Sequence, residues 1–291
     1  MRARTRFLKL RCRVTVRHLL DRWRPPPSGD HTANELTHGP ETPGPFASAW
    51  TRLGRDTQGW ARASAEKSVP QAIGGVNLPA GLRSWPVDSE LRDTLDRLYA
   101  EGTAYDGAQT DRRRRRRNLE PEAASFLWLL LQAVAARTVV EVGTSNGYST
   151  IWLADAVRRT AGRVVSLDVD AAAQGEAARN LEATGLARYV DLRLVDGGDF
   201  LAQAPPSSVD VLFLDAERPE YSSWWPDPKL VLRPGGLLVI DNVESHPDEV
   251  ADILRLIDAD EDLTSSVVSI GKGQLLAVKR PDSGQRVGQP G

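Results

Sequence analysis

Acidic side chains stand at or beside the ends of a series of short apolar stretches: Glu141 in TVVEV, Asp168 after RVVSL, Asp196 after VDLRLV, Asp215 after VDVLFL and Asp241 after GGLLVI. One such carboxylate is ordinarily a solvated loop residue, but several at recurring positions suggest a shared rim. Asp215, Asp241 and the adjoining Asn242 offer two carboxylates and an amide carbonyl, hard oxygen donors suited to an octahedral Mg²⁺ that keeps places for water or substrate. The competing reading is a polar strand terminus at Asp241-Asn242 and a helix cap at Asp215. Asp168 lies about 25 residues beyond Gly143, near the spacing at which an acid accepts ribose hydroxyls in nucleotide-binding folds; otherwise it is a charge at a helix N-terminus. The loop Gly143-Thr144-Ser145-Asn146-Gly147 is not G-x-G-x-x-G, which fits a ligand with an adenosine and no phosphates, and Gly143 and Gly147 leave room for backbone to approach it. The same loop also reads as G-x-S-x-G, the nucleophile turn of serine hydrolases, and Ser145, Asp215 and His246 follow in the Ser–Asp–His order of that class.

Alternating strands and helices are needed to bring these residues together. TVVEV (138–142), RVVSLDV (163–169), VDLRLVD (190–196), VDVLFLD (209–215) and GGLLVID (235–241) read as strands, with amphipathic helices between them. Continuous apolar strands separated by helices indicate a parallel sheet covered on both faces. SSVVSI-GKG-QLLAVKR (265–280) reads as a closing antiparallel hairpin. The expected fold is α/β, a Rossmann-like seven-stranded, mostly parallel sheet with helices on both faces. In such a sheet ligands bind at the carboxyl ends of the strands, where the acids lie. Upstream, 88–102 reads as a helix with Leu91, Leu95 and Leu98 on one face and Gly102 as its stop. A second helix is expected to carry Arg112–Arg117. A third begins at Pro121, and a further helix runs through Trp225 to Leu232.

The 291 residues suffice for a packed core, and 41% hydrophobic with 26% charged residues is ordinary for a globular chain. A net charge of −2 gives no global pull toward nucleic acid or membrane, and no run of about 18 apolar residues predicts a membrane span. One cysteine, Cys12, excludes an intramolecular disulfide framework and a cysteine-built zinc site. Residues 1–86 are basic and then Pro/Gly-rich, with arginines interrupting every apolar run of the first segment. They are read as a mostly disordered extension without a signal-peptide core, residues 87–280 as the folded domain and 281–291 as a disordered tail.

VVEVGTSNGYST, VVSLDVD, DVLFLDAERPEY and LRPGGLLVIDNV, in that order, resemble the motifs of class I S-adenosylmethionine-dependent methyltransferases. They are similar in particular to the metal-dependent O-methyltransferases related to catechol and caffeoyl-CoA O-methyltransferases. The resemblance covers roughly 88–280. It implies that Glu141 and Gly143 line the methionine side of S-adenosylmethionine, with Tyr148 in the same loop and Ser149 on the methionine carboxylate. It also implies that Asp168 binds the ribose, that Asp196, Gly197 and Gly198 surround the adenine, and that Asp215, Asp241 and Asn242 hold Mg²⁺. The chain departs from the family at Arg218, where a lysine often takes the substrate proton. Arginine, with a pKa above about 12, is no base near neutral pH. Two roles follow for Arg218: electrostatic stabilisation of the acceptor oxyanion, or a grip on an acidic substrate. The implied activity is in-line methyl transfer to a hydroxyl of a small molecule. Tyr221, Trp224 and Trp225 either wall the acceptor pocket or pack the core.

The hydrolase reading leaves Asp168 and Asp241-Asn242 without a task and lacks an oxyanion segment. A nucleic-acid methyltransferase is prompted only by Arg112–Arg117 and the basic N-terminus, while DAER stands where such enzymes carry an N/D-P-P-Y-type motif. The arginine run reads instead as a solvated helix face or a lid over the cofactor. A third reading is a binding protein that keeps the fold without turnover. No nucleic-acid partner is expected, the resemblance makes a homodimer an expectation, and the location expected is cytoplasmic.

Overall fold

The computed structural model describes residues 86–111 and 114–281. The expectations for the N-terminal extension and the tail therefore lie almost wholly outside the described residues, as do Arg112 and Arg113. Helix α1 (Ser89–Ala108) starts at Asp88, whose side chain accepts from Leu91 N, and buries Leu91, Leu95 and Leu98. Gly102 does not stop it. The helix continues past this residue, which is buried because a side chain there would collide with the Asn118 amide. Helix α2 (Pro121–Ala133) opens with proline in its first turn, where the missing N–H has no helical acceptor to lose.

Strand β1 (Thr138–Val142) leads to α3 (Tyr148–Arg158), β2 (Arg163–Asp168), α4 (Ala171–Ala183), β3 (Val190–Leu194), the short α5 (Gly197–Leu201) and β4 (Val209–Leu214). The helix expected through Trp225 to Leu232 is divided into a 3₁₀ segment, Arg218–Trp224, and the short α6 (Asp227–Val231). Strand β5 (Leu232–Ile240) follows directly. Helix α7 (Pro247–Asp258) and the hairpin β6 (Leu263–Val268) and β7 (Gln274–Lys279) complete the domain.

The sheet order is β3-β2-β1-β4-β5-β7-β6, with β3 to β5 parallel and β7 antiparallel to both of its neighbours. This is the expected seven-stranded arrangement. The chain starts at β1, builds outward to β3 and then returns to β4 on the other side of β1, so the carboxyl ends of β1 and β4 form the crevice where such sheets bind ligands.

Two cores sit on the two faces, and the period of two along each strand allocates its residues between them. Val139, Val211, Phe213 and Val239 pack against α1, α2 and α3. Val140, Leu212, Leu214 and Ile240 pack against α7, Tyr221 and Trp224. Trp128 Nε1 donates to the buried Asp155 at 2.8 Å, tying α2 to α3. No described helix is long and apolar enough to cross a membrane.

Candidate active site

A cavity of about 830 Å³ opens at the carboxyl ends of the parallel strands. Gly143, Ser145, Asp168, Asp196, Gly197 and Trp224 line one end of the set of loops around it, and Asp215, Arg218, Asn242 and Lys272 line it from β4, β5 and the hairpin. The sheet thus gathers most of the acids named from the sequence.

At Gly143 the backbone takes φ +106°, and an added Cβ would lie 2.2 Å from the Asp215 carbonyl oxygen. Glycine lets the end of β1 close onto the end of β4. Asp168 Oδ2 accepts from Ser145 N at 2.8 Å and Oδ1 from Asp170 N at 2.9 Å, so the end of β2 fixes the loop after β1. Asp196 caps α5 by accepting from Asp199 N. A Cβ on Gly198 would meet the Trp224 ring at 2.5 Å and one on Gly197 would meet Val142, so this turn is shaped around protein side chains. Gly198 itself is not part of the lining.

Glu141, Tyr148 and Ser149 stand behind the cavity wall. The alternation that exposes Val140 to one face turns Glu141 toward α3, where it is fully buried. It accepts there from Ser149 Oγ at 2.5 Å, Thr150 Oγ1 at 2.6 Å and Ser166 Oγ at 2.6 Å. Burial pushes its pKa up to about 7, against the pull of these three hydroxyls. Tyr148 is 2% exposed and packs its ring 5.7 Å from that of Tyr99. Of the residues the resemblance put against the methionine moiety, Glu141 and Ser149 share an internal network, Tyr148 packs on Tyr99, and Gly143 lines the cavity.

Asp215, Asp241 and Asn242 do converge. Asn242 Nδ2 donates to Asp215 Oδ1 at 3.2 Å and to Asp241 Oδ2 at 2.6 Å, and Gln274 Nε2 reaches Asp241 Oδ1 at 3.3 Å. Asp241 lies just beneath the lining formed by Asp215 and Asn242. Burial, followed for Asp241 by the Asp215 charge, holds both carboxyls well above their usual range. Among the described residues no group of three His, Cys, Asp or Glu side chains forms a metal cage. The set here is two carboxylates and an amide, and rotating the Asn242 amide would present its oxygen to the same space. Two carboxyls side by side, Asp241 buried and Asp215 on the cavity wall, with an adjacent amide oxygen within reach, fit a hard divalent cation.

Arg218 is 4% exposed, and its Nη2 and Nε lie 2.6 and 2.9 Å from Glu249 Oε2 on α7. It clamps the 3₁₀ segment to α7. Tyr221 is fully buried with its hydroxyl accepting from Ala216 N, so it belongs to the core, whereas Trp224 reaches the cavity. Ser145 Oγ donates to the Arg116 carbonyl at 2.9 Å, and His246 Nδ1 shares a hydrogen bond with Ser245 Oγ at 2.8 Å. Those contacts do not form a Ser–His relay.

Among the described residues of the arginine run, 115–117 are not in the expected helix. Residues 115–120 are irregular, with Arg117 at φ +52°, because Asp106 takes Arg116 N and Arg117 N at 2.6 and 2.8 Å. Arg116 pairs with Glu176 at 2.5 Å and lies over the Tyr105 ring, and Arg117 pairs with Glu217 at 3.1 Å. These bonds draw the segment over the cavity. Sequence reasoning missed Glu120 and Lys272, which line the same cavity as an ion pair of 2.5 Å. The Gly-Lys-Gly turn was the available signal for the second.

A family model described as O-methyltransferase matches residues 108–280. A catechol O-methyltransferase from Niastella koreensis is 35% identical over 129 residues, which span 43% of this chain and 58% of that protein. A catechol O-methyltransferase from Mycobacterium tuberculosis is 32% identical over 157 residues, 54% of this chain and 69% of the relative. In three dimensions the chain is similar to the O-methyltransferase from Bacillus cereus in complex with SAH, at 25% identity and TM-score 0.55, covering 67% of this chain and 92% of that one.

Proposed function

This chain belongs to the O-methyltransferase family, and from that premise we propose that it transfers the methyl group of S-adenosylmethionine to a hydroxyl oxygen of a small molecule, assisted by Mg²⁺ or a similar divalent ion. The observation that carries the reading is the meeting of Asp215 and Asn242, from two neighbouring strand ends, on the cavity that also holds Gly143, Asp168 and Asp196. At about 830 Å³ the cavity is within the range of small-molecule and cofactor sites.

The residues divide the work by position. Asp168 and Asp196, with acceptor lone pairs beyond those already used, are assigned the ribose and adenine sides. Asp215, Asp241 and Asn242 are assigned the cation, which when bound supplies Lewis acidity toward the acceptor's oxygens. The donor methyl is already activated, so the chain's main task is alignment, an effect that lowers barriers by about 7–11 kcal/mol where reacting atoms are well oriented. Trp224 and the segment Arg114–Arg117 keep water from the space between. Arg218, consumed by Glu249, contributes by fixing the segment that follows Asp215.

Calorimetry tests the reading. The wild type should bind S-adenosylhomocysteine, and Mg²⁺ should bind in its presence. Asp241→Ala should retain the first and lose the second. Absence of S-adenosylhomocysteine binding by the wild type would remove the proposal, and undiminished Mg²⁺ binding by Asp241→Ala would remove the assigned cation site.

A further inference from the structure

Arg218 stands where the resemblance implies a lysine, and both donors on one edge of its guanidinium meet Glu249. The cavity has another cation. Lys272 is the centre of the turn Gly271-Lys272-Gly273 between β6 and β7, and it lines the cavity together with Glu120, Asp215 and Asn242. The turn is built to present it. Gly271 and Gly273 take φ +57° and +84°, conformations unfavourable to other residues, and a side chain on Gly273 would strike Glu244. The Lys272 carbonyl accepts from Glu244 N and Ser245 N, each at 3.1 Å, and the Gly273 carbonyl from Val243 N at 3.1 Å. Three backbone hydrogen bonds thus lock the lysine's turn to the residues immediately after Asn242. Glu120 Oε1, at the start of α2, holds the ammonium at 2.5 Å.

We propose that Lys272 receives the ionised oxygen of the acceptor hydroxyl, supplying a positive charge from the β6–β7 turn while the Arg218 guanidinium is held on Glu249. This rests on the methyl-transfer reading above. The acceptor then binds with its hydroxyl proton released to solvent, and its oxyanion faces the ammonium beside Asp215 and Asn242. The charged and titratable groups that Lys272 senses are Glu120, Asp241 and Asp215, and it acts in turn on Tyr99. Burial lowers the lysine's pKa, but the hydrogen bond and charge of Glu120, with Asp241 and Asp215 behind it, outweigh burial and the net shift is upward. Lys272 is therefore an ammonium at neutral pH, suited to stabilising an oxyanion and unsuited to removing a proton.

The test uses 4-nitrocatechol, whose ionised form absorbs visibly, added to the full chain saturated with S-adenosylhomocysteine and Mg²⁺ so that no turnover occurs. In the wild type the bound dye should ionise at lower pH than the free dye. In Lys272→Met its ionisation should move up by about one unit, a tenfold weaker hold on the oxyanion, and Lys272→Arg should restore most of the difference. S-adenosylhomocysteine affinity should stay within about twofold in both variants, which separates a charge effect from a folding defect. Should Lys272→Met lose that affinity, Lys272→Gln takes its place with the same expected shift. Ionisation unchanged by loss of the lysine charge overturns the inference, as does a wild type that binds S-adenosylhomocysteine and takes no dye; both outcomes leave the methyl-donor reading standing. A wild type that binds no S-adenosylhomocysteine defeats both.

Discussion

Asn242 Nδ2 lies 3.2 Å from Asp215 Oδ1, joining the ends of β5 and β4 across 27 residues of sequence. The contact brings Asp215 toward Asp241, and two desolvated carboxylates so placed repel each other once both are charged. A site of this kind binds a cation at the expense of the empty protein's stability. Asp215→Asn should therefore stabilise the cation-free chain by about 1 kcal/mol, slightly under one pKa unit, measured by urea unfolding at pH 8 with a chelator present. On the proposed cation site, Mg²⁺ at a hundredfold excess over its Kd should stabilise the wild type by about 2.7 kcal/mol and should not stabilise this variant. A variant that is less stable without metal and still stabilised by it would contradict this account.

Glu141 gives a pH prediction of definite sign. Burial pushes its folded pKa up to about 7 from the ordinary 4.5 of a glutamate. Between those values the folded state holds a proton that the unfolded state has released, so this residue's contribution is full below about 4.5 and is lost as pH rises to 7. The loss is on the order of 3 kcal/mol at most, from about 1.4 kcal/mol per pKa unit. Glu141→Gln keeps the shape without the titration. The stability difference between wild type and Glu141→Gln should change in the wild type's disfavour from pH 5 to pH 7.5 and then level off. A difference independent of pH in urea unfolding would show that Glu141 does not titrate in this window.

The same residue illustrates what could be read from the sequence. The five parallel strands, the acids at their ends and the meeting of Asp215, Asp241 and Asn242 were legible because buried parallel strands are continuous apolar runs, and the fold requires their carboxyl ends to share one rim. Glu141, which the resemblance put on the methionine side of the cofactor, is fully buried and held by three hydroxyls, as its alternation with Val140 and Val142 turns it toward the opposite face from theirs. The arginine run was expected in a helix, but the Asp106 carboxylate offers two of its N–H groups a charged acceptor that sequence spacing did not reveal. Gly102 looked like a stop because its packing partner, Asn118, is a tertiary neighbour. Lys272 and Glu120 could not be matched from spacing, since they meet only after the antiparallel hairpin closes beside β5.

Asp106 lines the cavity and anchors the arginine segment beside it. By accepting Arg116 N and Arg117 N it holds the segment that places Arg116 on Glu176 and Arg117 on Glu217 over the cavity. Hydrogen bonds to a charged group contribute about 1.5–3 kcal/mol each. Asp106→Ala should speed amide exchange at 115–118 and increase the S-adenosylhomocysteine dissociation rate by about tenfold, equivalent to 1.4 kcal/mol. Hydrogen exchange and stopped-flow displacement report the two effects separately. Faster exchange with an unchanged dissociation rate would mean that the segment covers the cavity without retaining its occupant.

Gly143 supplies the most local test of the crevice. A Cβ there would lie 2.2 Å from the Asp215 carbonyl oxygen and 2.8 Å from its carbon, and φ of +106° is itself unfavourable for alanine. Neither obstacle is the tip of a movable side chain, so β1 and β4 must part at their carboxyl ends. Overpacking costs about 1–3 kcal/mol and the backbone conformation about 1–2 more, so Gly143→Ala should lose on the order of 3 kcal/mol of stability. Because Asp215 N also donates to the Val142 carbonyl at 2.9 Å, the displacement carries Asp215 with it. Mg²⁺ affinity should fall by at least about tenfold under conditions where the variant is still folded, although Gly143 is not one of the residues assigned to the ion. Calorimetry below the unfolding transition checks this, and an unaltered Mg²⁺ affinity would mean that the cation site does not depend on the closure of β1 against β4.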